Sequence, residues 1–143
     1  MIQDARRRLE DLLDREIEAA RTLAATLAAE KAALTGDSPE AVKQNAAEKI
    51  RVLGTIESLE EERRMLCANP LSAGIAATVA ERWRALMELM ARCRTANEVN
   101  GHIIHVRQHQ TCQLIDIVRG GPSITYGPQG KVFGNALRAL AKA

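Results

Sequence analysis

Four prolines, at positions 39, 70, 122 and 128, punctuate this chain, and the first three bound long stretches whose apolar residues recur every third or fourth position. Proline inside a helix removes a backbone hydrogen bond and clashes with the preceding turn. A sustained 3–4 period free of proline is the mark of an amphipathic α-helix. Together these features confine the chain to a few long helices joined near the prolines.

The first helix is predicted from about Gln3 to Leu34, with Leu9, Leu12, Leu13, Ile17, Ala20, Leu23, Ala24, Leu27 and Leu34 on its apolar stripe. "TGDSPE", Thr35 to Glu40, ends it and starts the next. Gly36 suits a helix C-terminus, Asp37 or Ser38 an N-cap, and Pro39 the first turn, where its missing N–H costs nothing. The second helix runs from about Pro39 to Cys67 on Val42, Ala46, Ile50, Leu53, Ile56, Leu59 and Leu66. Its charged run "ESLEEERR", Glu57 to Arg64, reads as a solvated face with i,i+4 pairs. Pro70 within "CANPLSAG" makes the next break. The third helix extends from about Ser72 to Val118, where "RGGP" stops it. Its stripe passes through Ile75, Val79, Trp83, Leu86, Met90, Cys93, Asn97, Asn100, Ile104, Thr111, Leu114 and Val118.

Composition supports an all-α chain. Of 143 residues, 46% are apolar and 27% charged, enough to fill one core and solvate its outside. Aromatics are 2%, so Leu, Ile, Val, Ala and Met must build that core. The expected fold is an antiparallel, coiled-coil-like bundle of three long helices over residues 1–118, followed by a flexible tail, 119–143.

Helix length carries the next inference. At 1.5 Å per residue the first two helices span roughly 45–50 Å and the third roughly 70 Å. Short loops make neighbours antiparallel, so the third helix outruns its partners from about His105. The overhang still carries Leu114, Ile117 and Val118, apolar residues with no intramolecular cover. Such a surface is expected to dock a partner. The alternatives are a helix that bends back and two chains that pair there as a homodimer.

In the tail, Pro128 and Gly130 fit a type I turn in "YGPQG". Val132, Phe133, Ala136, Leu137 and Leu140 then recur at helical spacing, opposite a basic face. A helix of about 12 residues is marginal alone in water and is expected to order against a partner. The only Tyr and the only Phe, Tyr126 and Phe133, both lie here rather than in the core pattern.

Other chemistry is poorly supported. His102, His105, His109 and Cys112 share one helix face, but it points away from the apolar stripe, and one helix rarely closes a tetrahedral metal site. No nucleotide-binding or nucleophile motif occurs, and the carboxylates read as solvated, so neither catalysis nor a cofactor or metal is expected. A net charge of +2 is small, and the basic tail lacks an Arg/Lys cluster or repeated aromatics, so there is no case for nucleic acid. Nor does any run reach the roughly 20 apolar residues of a membrane span. The chain starts without the apolar core of a signal peptide, and Cys67, Cys93 and Cys112 form no C-x-x-C pair. A cytoplasmic, reducing location is expected. Asn97 and Asn100 stand out because both fall on the apolar stripe, where a polar residue fixes register or meets a bound peptide.

"NEVNGHII", Asn97 to Ile104, followed by a Gly-rich joint and "TYGPQG", resembles FlgN, the family of flagellar type III export chaperones. The layout of two long helices, a longer third and a tail is similar as well. That resemblance implies a helical bundle that binds hook-associated proteins at the hook–filament junction, keeps their aggregation-prone ends from assembling early and delivers them to the export gate. It implies client contact through the C-terminal region, where the apolar pattern read above makes Leu114, Ile117 and Val118 on the overhang, and Val132, Phe133, Ala136, Leu137 and Leu140 in the tail, the expected contacts. Tyr126, with Gly127 and Pro128, matches the family's gate-docking position. Gln129 stands where an acid often precedes the second Gly. The competing expectation is a structural bundle that only self-assembles.

Overall fold

The computed structural model describes residues 2–68 and 76–120. Three long helices make up nearly all of it: α1 (Ile2–Thr35), α2 (Pro39–Cys67) and α3 (Ala80–Arg119), with a short 3₁₀ turn at Ala76–Val79 before α3. No strand occurs among the described residues. The protein is all-α, as its period requires.

Local chemistry sets the helix ends. Gly36 follows the last turn of α1, its N–H donating to the Ala33 carbonyl at 3.2 Å. Ser38 caps α2 by accepting from the Ala41 N–H at 3.2 Å, and Pro39 occupies the first turn. Gly120 closes α3 in the left-handed conformation, φ 78°, with its N–H returned to Asp116 and Ile117. A residue with a Cβ would be strained there, which is why the stop falls on this glycine.

α2 and α3 each pack along α1 and touch one another sparsely. α1 is therefore the central element, and its Leu13, Ala20, Leu23 and Leu27 are essentially solvent-free. Val52, Ile56 and Leu59 complete the core from α2, and Leu86, Met90 and Cys93 from α3. Burying each such side chain contributes about 1.5–3 kcal/mol relative to exposure.

The second helix departs from its expected stripe. Ile50 is 72% exposed and Ala46 is also exposed, while Val52 is buried in their place. α2 meets α1 along a line through Val52, Ile56 and Leu59, and Ile50 and Ala46 fall to its side. Trp83, also expected on a core stripe, is 40% exposed and lies under the Arg63 guanidinium, 4.6 Å from its ring centroid. The α-helical part of the third helix starts at Ala80; the expected start, Ser72, and Ile75 lie outside the described residues.

Candidate functional site

The register of α3 on α1 decides what is left uncovered. Cys93 Sγ donates to the Ala20 carbonyl at 3.5 Å, and Asn100 Nδ2 to the Leu27 carbonyl at 2.9 Å, both with an offset of 73 residues. A constant offset means that the two helices run parallel, each advancing one heptad between contacts. α2 returns antiparallel between them in sequence: Arg63 reaches Glu16 and Lys49 reaches Glu30. α1 ends where Arg107 Nη1 donates to the Gly36 carbonyl at 3.3 Å. Beyond Arg107, α3 outruns the other described helices and continues to Arg119, about 18 Å at 1.5 Å per residue.

That projecting end carries apolar side chains into solvent. Leu114 is 63% exposed, Ile117 75% and Val118 86%, with Ile115 beside them. Thr111 Oγ1 bonds the Arg107 carbonyl at 2.9 Å, and Gln113 pairs with His109 one turn back. Arg119 sits in the last turn, where a cation favours the helix dipole. These bonds lie within α3 itself, and among the described residues no other element covers its apolar end.

Of the other residues singled out in the sequence, Tyr126, Gly127, Pro128, Val132, Phe133, Ala136, Leu137 and Leu140 lie outside the described residues. His102, His105, His109 and Cys112 are exposed on α3. Among the described residues no three His, Cys, Asp or Glu side chains group to hold a metal. Burial pushes the Cys93 thiol up, away from the reactive thiolate.

Asn97 and Asn100 are both buried. Asn100 Nδ2 also reaches Glu30 Oε1 at 3.0 Å, and Lys49 Nζ donates to the same oxygen at 3.2 Å. One carboxylate on α1 thereby joins both other helices. Asn97 Oδ1, by contrast, is buried with no hydrogen-bond partner.

The carboxylates correct an expectation. Glu16 and Glu30 are buried, not solvated. Arg63, from the run read as a solvated face, donates from Nε to Glu16 at 2.9 Å. Burial raises the Glu16 pKa above 4.5, outweighing the lowering by Arg63, and Glu60 adds to the rise. The folded chain then holds this proton more tightly than the unfolded chain. Its contribution to stability is complete below pH 4.5 and is lost as pH rises through the raised value. Glu16→Gln is expected to abolish that part of the pH dependence, read from chemical denaturation at a series of pH values; an unchanged profile would assign it to another group.

Among the described residues the end of α3 is an exposed apolar surface, of the kind through which proteins meet other chains. No described helix is long and apolar enough to cross a membrane. The chain belongs to the FlgN family, chaperones of flagellum biogenesis: the FlgN protein family model matches residues 1–132, a span that takes in all three helices and Tyr126 to Pro128. No curated protein and no solved structure matches the chain.

Proposed function

We propose that this chain is a cytoplasmic escort for hook-associated proteins, which it binds, keeps from assembling early and hands to the type III export gate. The observation that carries this reading is the end of α3, where Leu114, Ile117 and Val118 are exposed beyond the last contact with α1. Family membership supports the same role. Binding alone prevents assembly, so the role requires no catalytic site. In this proposal the bundle, residues 1–118, is the scaffold, and the tail, 119–143, completes a clamp through Val132, Phe133, Ala136, Leu137 and Leu140. An amphipathic helix laid on an apolar surface is a common way of holding such segments. Tyr126, with Gly127 and Pro128, serves the gate.

The test uses the full chain and a purified hook-associated protein. Leu137→Asp with Leu140→Asp is expected to abolish co-elution while far-UV helicity stays nearly unchanged. Tyr126→Ala is expected to spare the client complex and to weaken binding to the cytoplasmic domain of the gate. Survival of the client complex in the double variant would remove the tail from the clamp. A chain that only forms oligomers of itself, with or without residues 119–143, would instead be the self-assembling structural bundle.

A further inference from the structure

The polar side of the projecting end of α3 has an order of its own. His105, His109, Cys112 and Asp116 step by four, three and four along the chain. At 100° per residue they fall within about 60° of one another round the helix, on a line about 17 Å long. His105, His109 and Cys112 are exposed, and Asp116 is half-buried. Steps of four and three are the spacing by which one helix meets a second along a seam. This seam is built of imidazole, thiol and carboxylate, the side chains that hold zinc.

One copy does not complete a site. Among the described residues no three His, Cys, Asp or Glu side chains group to hold a metal. Residues three or four apart are neighbours on a helix, so His109 can share an ion with His105 or with Cys112. His105 and Cys112 stand about 10 Å apart along the axis, too far to join the same ion with it. A tetrahedral ion then lacks two ligands, and a second copy supplies them by symmetry. Two α3 helices laid antiparallel, with the twofold axis between Gln110 and Thr111, set His109 of each copy opposite Cys112 of the other. The same register sets each His105 opposite the other copy's Asp116, an acceptor for its N–H. Centring the pair on His105 and His109 instead would set Asp116 opposite Glu98 of the other copy, like against like. The flanks of the favoured seam are uncharged: Val106 and Gln113 on one side, Gln108 and Ile115 on the other. Arg119, at the end of the helix, comes within about a turn of the other copy's Glu98. His109 Nε2 meets the Gln113 amide at 3.2 Å, an exposed neutral bond that is weak beside a metal–imidazole bond.

We propose that this seam is a zinc-class metal site shared by two copies of the chain, with His109 and Cys112 of each copy as the four ligands. Thiolate and imidazole together favour zinc over the hard, oxygen-seeking divalent ions. Leu114 and Val118 lie on the far side of α3 from the seam, so pairing leaves them uncovered. The inference is therefore independent of the chaperone reading above.

Sedimentation equilibrium of the full chain tests this, with a phosphine reductant present throughout, in three conditions: no metal, zinc, and zinc followed by a chelator. Zinc is expected to give a dimer holding one ion per two chains, and the chelator to return the monomer. His109→Ala with Cys112→Ser is expected to weaken the zinc dimer about a hundredfold or more, with circular dichroism unchanged. His105→Ala is expected to weaken it about tenfold or less, since that side chain only flanks the ion. Cobalt(II) in place of zinc is expected to show the visible absorption of a tetrahedral site and a thiolate charge-transfer band, which Cys112→Ser removes. A chain that stays monomeric in zinc overturns the proposal, as does a dimer indifferent to the chelator. One ion per chain, or a larger loss from His105→Ala than from Cys112→Ser, overturns the ligand assignment. A dimer that appears only when the reductant is left out is a disulfide and overturns the metal site.

Discussion

Leu23→Ala is expected to lower the free energy of unfolding by about 3 kcal/mol, within the range for a buried leucine. Leu23 is fully buried on α1, the helix against which both others pack. Neither α2 nor α3 can follow the shrinking side chain without giving up its own contacts with α1, so a cavity remains. Ile50→Ala offers the contrast. Ile50 is 72% exposed, and its loss is expected to change stability by no more than about 0.5 kcal/mol. Urea unfolding followed by far-UV circular dichroism measures both. Similar losses at the two positions would mean that α2 packs through Ile50 and that the central role of α1 is wrong.

The second large effect concerns two asparagines that look alike in sequence. Asn100→Leu is expected to cost about 2–3 kcal/mol, because it takes a donor from the buried Glu30 carboxylate and leaves Lys49 to hold it alone. Asn97→Leu is expected to stabilise the chain by about 1–2 kcal/mol, since it removes a buried oxygen that has no partner. The side chains have the same branching, so the two substitutions differ mainly in what they unpair. The same denaturation experiment reads them. Opposite signs support the assignment, and a loss at Asn97 as large as that at Asn100 would show that Asn97 has a bonding role.

Fold and helix ends were legible because they depend on local chemistry. Pro39, the Ser38 cap and the Gly120 stop act within a turn, and the structure places them where the sequence does. The length mismatch was legible too, because helix rise is fixed: the overhang expected from about His105 begins at Arg107. The side of α2 that meets α1 was not. Two lines of apolar residues, one through Ile50 and one through Val52, fit a helical period, and only packing chooses between them.

The buried ion pairs left a signal that charge obscured. Leu9, Leu13, Glu16, Ala20, Leu23, Leu27, Glu30 and Leu34 step alternately by four and three along α1. Glu16 and Glu30 each interrupt that seam one heptad from Leu23. Glutamates on a heptad seam are a reason to look for cations at matching heights on a neighbour, and Lys49 and Arg63 supply them. Which helix would offer those cations depends on register, which one chain's pattern does not state. The candidate site divides likewise. Exposure at Leu114, Ile117 and Val118 follows from helix length, whereas the partial exposure of Val99 and Val106 is set by how α3 sits on α1.

Parallel α1 and α3 also have a mechanical consequence. A pull on the chain beyond Gly120 directed along α3 loads the Cys93 and Asn100 contacts to α1 in shear, so that they share the force. A sideways pull would instead peel the helix from its free end, loading the Arg107–Gly36 contact first. The bundle is thus stiffer along the axis of its projecting helix than across it, and a tug on the C-terminal segment meets different resistance according to its direction.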